Sequence, residues 1–449
     1  MIRTCLGPAA GFLLLAWCLT SSAIATGKTL QVGPGKKFER IEKAVKRAKP
    51  GDIIEVYPRL LGQAYEGVGV SINKPRVTIR AVGVESGIRV KVSGDGYSHS
   101  GRGSTPRAIF QFNPRAEGSV LEGFEITGAS NSGNNGAGVR INQANNITIR
   151  NCDIHHNQMG IMSNGKVELK NAVNQVIEHS AIHHNLRHNL YLGGTSVTLR
   201  FSEVHNPIEL HNIKSRAHFT RVAYSYIHDS ANRELDLVDS PLTALPGSHA
   251  VLLGNIIAKD PNTRGNLSVI HFGQDNNSPH VGTLFLIHNT VITPFSSPVI
   301  DLSSKEARAV LIGNIFDDGG GATRRNHQVL GSSRRGGAST GKISGWDNWF
   351  APGFTSGLDN TSIDKSMNTF AARSSRLYVD PLQHDYRLQS SWPGIGGAGR
   401  RIDKLQIPLT PGALKIGEPL SWQYAHPSGR YPRTAAEAPD LGAQAVAGP

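Results

Sequence analysis

Ionisable side chains of both signs are concentrated between residues 187 and 239, on short strand-like runs separated by Gly and Asn. Elimination from an acidic sugar needs a base that removes the proton α to the carboxylate, positive charge for the enolate, and a proton donor for the leaving oxygen. A lysine crowded by arginines gives up its proton more readily and can be that base. The predicted roles are base for Lys214, carboxylate binding for Arg216 and Arg233, proton donation for Tyr191 or His211, orientation for Asp236 or Glu209, and substrate binding for Arg140, Arg187, His188 and Asp239.

Runs rich in β-branched residues recur through residues 119–318 and supply a scaffold for these side chains. Aligned on one another, eight runs give a mostly small or polar column at intervals of 22–34 residues: Phe124, Cys152, Ser180, Ser202, Ser225, Asn255, Asn289 and Asn314. Two positions later an apolar column reads Ile126, Ile154, Ile182, Val204, Ile227, Ile257, Val291 and Phe316. Imperfect repeats of this length indicate a solenoid whose coils hydrogen-bond to one another. The predicted fold class is all-β, a single parallel β-helix with the apolar column as a core stack and Cys152 as a buried structural thiol.

A second strand in each coil is expected to present the candidate site. Its outward positions are predicted to be Arg140, Ile161, Tyr191, His211, Asp236, Ile270 and Asp301. Adjacent coils of such a fold lie ~4.8 Å apart, so the side chains at 191, 211 and 236 would lie within ~10 Å of one another.

The opposite face of the predicted helix carries a regular charge pattern. Glu122, Arg150, Glu178 and Arg200 alternate in sign on successive coils and would form favourable cross-strand pairs. In later coils the same face turns apolar at Leu253, Ile287 and Ile312. We expect the C-terminal segment to cover it.

The N-terminal part of the sequence predicts a cap for the solenoid. Residues 38–48 place apolar residues on one helical face, and Pro50-Gly51 ends that helix. The block VGPGKKFERIEKAVKRAKPGDIIEVYP resembles the opening of pectate-lyase-like proteins, whose helix plugs the N-terminal end, and DPLQHDYRLQSSWPGIGGAG resembles their closing coil. The resemblance implies a right-handed, pectin-lyase-like β-helix over 26–320 and closing coils over 346–400. The Gly- and Arg-rich stretch 321–345 predicts a mobile basic loop, and 401–449 a wrapping tail.

A second resemblance concerns the candidate site. HNLYLGG, NIKSRA and LDLVD resemble strings in a group of bacterial β-helix proteins. Glu209 and Lys214-Ser215 match the E-x4-K-S spacing of the chondroitinase B and alginate lyase family. That likeness implies Glu209 as a calcium ligand, Lys214 as the catalytic base and Arg233 as an arginine one coil later. Pro207 stands where the family has a second acidic ligand, so Glu209 alone suggests calcium.

The remaining composition predicts an exported protein with an anionic partner. Residues 1–25 combine one charge, an apolar run and an Ala-Ile-Ala cleavage pattern, which is typical of a signal peptide. We therefore expect a secreted or periplasmic monomer without a membrane span. The formal net charge of +13 favours an acidic polysaccharide. Aromatic residues are sparse, and no recognition helix is evident, so nucleic acid is not expected.

Other functions also fit parts of the sequence. His155, His183, His205 and His228 share one repeat position and could bind zinc or copper. Carboxylates that could serve glycoside hydrolysis are present at Asp236, Asp239, Asp301 and Asp317-Asp318. The basic face could also belong to a non-catalytic glycan-binding or structural β-helix. We favour a polysaccharide lyase, or a uronate epimerase that shares the same proton abstraction.

Overall fold

The computed structural model describes residues 27–275, 278–295, 297–319, 327–328, 330–332, 341–355, 361–364, 366–372, 376–392, 406–410, 413–416, 420–433 and 440–445. Within these ranges the chain winds into a parallel β-helix, most coils of which contribute three strands. Each strand pairs in parallel with its equivalent in the next coil, so three long sheets, here called A, B and C, run along the molecule. The predicted all-β fold is confirmed.

The bounds of the strands follow the repeat. Sheet A contains Thr29–Val32, Ile53–Val56, Thr78–Ala81, Val120–Glu122, Thr148–Arg150, Gln175–Glu178, Ser196–Arg200, Phe219–Ala223, Ala250–Leu253, Thr283–Ile287, Arg308–Ile312, Lys342–Trp346 and Thr361–Ser362. Sheet B contains Val90–Ser93, Phe124–Thr127, Asp153–His155, Ala181–His183, Glu203–His205, Tyr226–His228, Ile256–Ala258, Thr290–Ile292, Ile315–Asp317, Trp349–Phe350 and Thr369–Phe370. Sheet C contains Val70–Ile72, Ala108–Phe112, Ala137–Asn142, Met159–Asn164, Leu190–Leu192, Ile213–Ser215, Leu235–Val238, Ile270–Gly273, Ile300–Leu302 and Leu330–Ser332.

Shorter elements flank these sheets. Two-stranded pairings join His327–Gln328 to Phe354–Thr355, Tyr378–Asp380 to Asp385–Leu388, Gln406–Thr410 to Ala413–Ile416, and Trp422–Ala425 to Gly429–Pro432. The α-helix is Ile41–Arg47, and single 3₁₀ turns cover Leu60–Gly62, Val84–Ser86 and Pro381–Gln383.

The predicted apolar column forms one continuous core stack. Ile154 pairs with Ile126 and Ile182 in sheet B, and the pairing continues without a register shift as far as Phe350. Every member of the column is fully buried. Burying one such side chain stabilises a fold by ~1.5–3 kcal/mol, so the stack is a main source of stability.

The small and polar column forms a hydrogen-bonded ladder at the turn from sheet A to sheet B. Asn289 accepts bonds from the backbone N–H and the side-chain amide of Asn255, at 2.9 and 3.0 Å, and donates to Asn314 at 3.1 Å. In earlier coils the hydroxyl of Ser180 accepts from the backbone N–H of Cys152 at 3.1 Å. Burial raises the pKa of the Cys152 thiol to about 11, as befits an unreactive structural cysteine.

A short helix covers the first coils. Ile41, Ala44 and Val45 are buried, and the helix contacts the strand Val70–Ile72. The predicted helix over 38–48 is therefore present, but it begins three residues later and ends one residue earlier. The N–H of Ala48 bonds to the carbonyl of Ala44 and closes its last turn.

The outer face of sheet A has the predicted charge pairs and a C-terminal cover. Arg150 bonds Glu122 at 2.9 Å, and Arg200 bonds Glu178 at 2.6 Å. The apolar positions Leu253, Ile287 and Ile312 lie in a cluster that also contains Leu420 and packs against Trp422.

The predicted segments 1–25, 321–345, 346–400 and 401–449 lie partly or wholly outside the described residues. Residues 1–25, the predicted signal peptide, are among them, so export stays a prediction. Of 321–345, the strands at 327–328, 330–332 and 342–346 are described. Arg324, Arg325, Arg334 and Arg335 are not, and the predicted mobility of that loop remains a prediction. In the described part of the chain, no helix has the length and apolar character needed to cross a membrane.

Candidate active site

One outward-facing column of sheet C carries the centre of the site. Its register runs through Gln111, Arg140, Met162, Tyr191, Lys214, Asp236, His271 and Asp301. The predicted column was wrong at three positions. Ile161 and Ile270 face the core and are fully buried. The prediction was one residue out of register in these two strands, and a shift of one residue exchanges the two faces of a strand. His211 precedes the strand Ile213–Ser215, and Lys214 occupies the outward position of that coil.

Lys214 lies between two carboxylates. Its Nζ atom is 2.6 Å from Oδ2 of Asp236, in the next coil, and 3.0 Å from Oδ2 of Asp275. The lysine side chain is only 11% exposed. Lys214 therefore donates charge-assisted hydrogen bonds to two carboxylates in this arrangement.

Arg216 binds the same oxygen of Asp275 from the other side. Its Nη2 atom lies 2.7 Å from that oxygen, while its Nε donates to the hydroxyl of Tyr191 at 3.2 Å. Nη1 of Arg216 bonds to the backbone carbonyl of Asp239. Burial opposes the charge of Arg216, but the neighbouring Tyr191 and the two aspartates raise its pKa overall. Lys214 and Arg216 therefore form a two-cation fork that already holds one carboxylate oxygen.

Asp236 joins the separate parts of the site. Its Oδ1 accepts from Nδ1 of His271 at 2.8 Å and from Nη1 of Arg233 at 3.1 Å. Burial alone would raise the pKa of Asp236, but the bond from His271 and the charge of Lys214 outweigh it and hold the pKa well below its ordinary value. Asp236 is thus a fixed negative charge that orients its neighbours and is unsuited to carrying a proton.

His188 and His211 stack beside this cluster as neutral rings. Their centroids are 5.3 Å apart. Nδ1 of His188 accepts from the backbone N–H of His211 at 3.3 Å, and Nδ1 of His211 accepts from the backbone N–H of Arg233 at 3.1 Å. The ring proton of each therefore lies on Nε2. Burial is the main cause that lowers the pKa of His188 to about 3 and that of His211 to about 4.

Arg233 and Asp239 support the site from its edges. Arg233 reaches Asp236 and also lies 3.4 Å from Oδ2 of Asp301. Asp239 is fully buried, and its two oxygens accept the backbone N–H groups of Asp275 at 2.6 Å and Ser278 at 3.0 Å. It therefore anchors the turn that carries Asp275, and the substrate-binding role predicted for it stays a prediction.

The other predicted residues lie outside this cluster. Arg140 is three coils away along sheet C, and Arg187 is half-buried in the turn before the strand Leu190–Leu192. Glu209 is exposed, and no group of three or more His, Cys, Asp or Glu side chains among the described residues is arranged to bind a metal ion. These residues do not fit a calcium site.

Two central residues escaped the sequence analysis. His271 bonds Asp236 and, through Nε2, the hydroxyl of Ser303 at 2.6 Å. It follows Ile270 in the sequence, so a prediction with the correct outward face of that strand would have included His271. Asp275 lies in a turn 61 residues from Lys214, and no repeat column passes through it.

The histidine column and the Asp-Asp pair belong to another face. His155, His183, His205 and His228 stack along sheet B with centroid separations of 4.8–5.0 Å. Asp317 ends a strand of sheet B, so it does not join the carboxylates of sheet C. The predicted zinc or copper site thus gains no support from the described residues, and the histidines pack as a ladder.

The geometry defines a right-handed parallel β-helix protein with a pectate-lyase-like fold. A family model described as "right handed beta helix region" matches residues 82–214. The solved structure of pectate lyase Pel9A is 13% identical, covers 95% of this chain and 98% of its own, and superposes with a TM-score of 0.55. That match shows the shared fold.

Two weaker likenesses were also found. The catalytic unit of a GH87 α-1,3-glucanase from Streptomyces thermodiastaticus is 15% identical over 74% of this chain and 66% of its own, with a TM-score of 0.45. The PL6 family alginate lyase AlyGC is 12% identical over 80% of this chain and 42% of its own, with a TM-score of 0.33. No curated protein matches the sequence significantly.

Proposed function

We propose that this protein is a carbohydrate-active enzyme that removes the proton α to the carboxylate of an acidic polysaccharide, leading to β-elimination or to epimerisation. The supporting observation is the fork of Lys214 and Arg216, which both donate to Oδ2 of Asp275, at 3.0 and 2.7 Å. A uronate carboxylate that displaced Asp275 would meet the same two donors. Positive charge at this position stabilises the enolate formed by proton removal.

The contacts favour a different division of roles from the one predicted for Lys214. Lys214 already donates to two carboxylates, so it is better placed to stabilise an enolate than to abstract a proton. We assign the abstraction to the Tyr191 oxygen, which lies beside Lys214 in the sheet and accepts a hydrogen bond from Arg216 at 3.2 Å.

The other site residues complete the proposed reaction. Asp236 fixes Lys214, and Arg233 supports Asp236 from the opposite side. In elimination, the bond from the sugar to the leaving oxygen breaks, and that oxygen takes a proton from Tyr191 or from Nε2–H of His211. In epimerisation, the carbon instead takes a solvent-exchangeable proton on its other face, from Nε2–H of His211. In this proposal the fork supplies the positive charge that stabilises the enolate.

A non-catalytic glycan-binding role is the alternative, and one observation favours it. The cations Lys214, Arg216 and Arg233 are already balanced by carboxylates, as in a static binding surface. The experiment is a panel of purified polyuronates and one neutral glucan, in which affinity and formation of unsaturated or epimerised product are both measured. Binding with turnover of a polyuronate supports the enzyme. Binding without turnover across the panel supports the alternative, and equal binding of the neutral glucan contradicts an acidic polysaccharide as the specific ligand.

The proposal extends to the partner and the compartment. The partner would be an anionic polysaccharide, reached by a secreted or periplasmic protein acting as a monomer. The proposed partner rests on the basic composition, and the proposed compartment rests on the predicted signal peptide.

A further inference from the structure

A cleft opens along sheet C toward the N-terminal end of the β-helix, away from Lys214. Its volume is about 550 Å³, within the ~300–1,000 Å³ typical of small-ligand pockets. Arg107 and Arg140 line it with amides and hydroxyls such as Gln111 and Ser104, and the described residues of its lining include no Asp or Glu.

The two arginines of this cleft differ from those on the outer face of sheet A. Arg150 and Arg200 each bond a glutamate, at 2.9 and 2.6 Å. Arg140 instead donates to the side-chain oxygen of Asn164 at 3.1 Å and lies 3.8 Å from the sulfur of Met162, which are both neutral. Burial and the nearby charge of Arg107 lower the pKa of Arg140. The described residues place no carboxylate beside these two guanidinium groups in the cleft, so they form a binding site for an anion, and their planar donors match a carboxylate.

Neutral hydrogen-bonding groups continue the cleft along the edge of sheet C. Asn113 donates to Asn73 at 3.0 Å, and Asn142 donates to Asn113 at 3.2 Å. Amides and hydroxyls of this kind suit the hydroxyl groups of a sugar. The lining therefore combines recognition of a carboxylate with recognition of the rest of a sugar ring.

The cleft and the proposed active site share one column. From Arg140 the register passes through Met162 and Tyr191 to Lys214, which is three steps. At ~4.8 Å for each coil, the separation is ~14 Å. One unit of an extended polyuronate advances by about one coil spacing, so a chain lying along the column would place carboxylates about three units apart at the two positions.

We propose that the cleft lined by Arg107 and Arg140 is a second uronate-binding subsite, which holds the chain about three sugar units from the reacting one. This inference rests on the proposed function, since it takes the same polymer as ligand. It predicts that affinity rises steeply once an oligomer is long enough to reach both positions.

The test measures binding of size-defined oligogalacturonates and oligomannuronates, from dimer to hexamer, by calorimetry. The variants are Arg107→Gln, Arg140→Gln and the double variant, with the exposed Arg115→Gln from the same coil as the control. We expect each cleft variant to weaken hexamer binding by about tenfold, the loss of one charge-assisted bond. Dimer binding at the fork should change less, and the control should bind as the wild type does.

Lys214→Ala separates this inference from the proposed function, because that variant removes the fork and leaves the cleft intact. If its hexamer binding still depends on Arg140, the cleft is a uronate subsite even if no turnover is found. Unchanged hexamer affinity in the double variant would overturn the inference. Tighter binding of a sulfated oligosaccharide than of either polyuronate would also overturn it. Nε–H resonances of the wild-type arginines, followed during hexamer titration, provide a readout that does not depend on the folding of variants.

Discussion

The ammonium of Lys214 lies 2.6 Å from Oδ2 of Asp236, its register partner in the next coil of sheet C. Asp236 is almost fully buried and also bonds His271 and Arg233. Lys214 is thus held by a fixed negative charge in the next coil, while Asp275 contacts it from a turn. This relationship favours one of the two roles that a lysine could have here, because a side chain that already donates to two carboxylates is placed to stabilise an anion.

Replacements of Lys214 distinguish these roles. Lys214→Ala should reduce turnover by ~10²-fold or more, the range expected for loss of one group that stabilises a transition-state anion. Lys214→Arg keeps the charge and should retain a measurable part of the activity. Steady-state kinetics on an active polyuronate provides the measurement, with the exposed Lys305→Ala as control. Activity of Lys214→Arg as low as that of Lys214→Ala would return the role of base to Lys214.

Asp275 should compete with the substrate for the fork. Asp275→Asn removes the negative charge from a site where Lys214 and Arg216 both donate to it. We expect a KM several-fold lower than that of the wild type, with a stronger dependence on salt, because the freed cations then bind the substrate carboxylate. A KM that stays the same or rises would show that Asp275 does not occupy the carboxylate position.

His228 should stabilise the protein in a pH-dependent manner. Burial opposes its charge, but bonds to Asp229 at 2.8 Å and Glu203 at 3.1 Å raise the pKa of His228 to about 9, beside the stacked ring of His205 and the tilted ring of His384. A raised pKa gives stability that is complete below the unfolded value of about 6.5 and is lost as pH rises toward 9.

The test for that residue is His228→Gln. We expect a loss on the order of 3 kcal/mol in the free energy of unfolding at pH 6, shrinking by pH 10. Denaturant titrations at the two pH values measure it. A loss of equal size at both would mean that packing, and not charge, is what His228 contributes.

The asparagine ladder should be sensitive to single deletions. Asn289→Ala leaves the buried N–H of Asn255 without its acceptor, which costs ~1–3 kcal/mol. The replacement of the exposed Asn262 by Ala should reduce the free energy of unfolding by only a small fraction of that amount. Thermal unfolding of both variants measures the difference, and equal melting temperatures would contradict the structural role of the ladder.

The coil architecture could be predicted well from the sequence, because residues that stack on one another recur at equivalent positions in consecutive coils. Ile154 and Ile182 occupy the same place in consecutive coils, so the column is visible without knowledge of any distant contact. The outward face of sheet C was harder to predict. Its strands are as short as three residues, and Ile161 and Met162 are both apolar, so alternation does not fix the face.

The missing site residues have a related cause. Asp275 reaches Lys214 from a turn, and only the folded coil brings the two together. Asp239 looked like a surface carboxylate, yet it is buried because it bonds the backbone of that turn. Contacts made by such turns do not recur from coil to coil, so no repeat in the sequence predicts them.

The central claim is removal of the proton α to a carboxylate, and analysis of products formed in D₂O tests it most directly. Mass spectrometry and NMR of a turned-over polyuronate would identify the reaction. The account predicts either fragments with an unsaturated, water-deficient end, or an uncleaved polymer with deuterium on the carbon next to the carboxylate. Fragments that have each gained the elements of water, with no deuterium on that carbon, would contradict it.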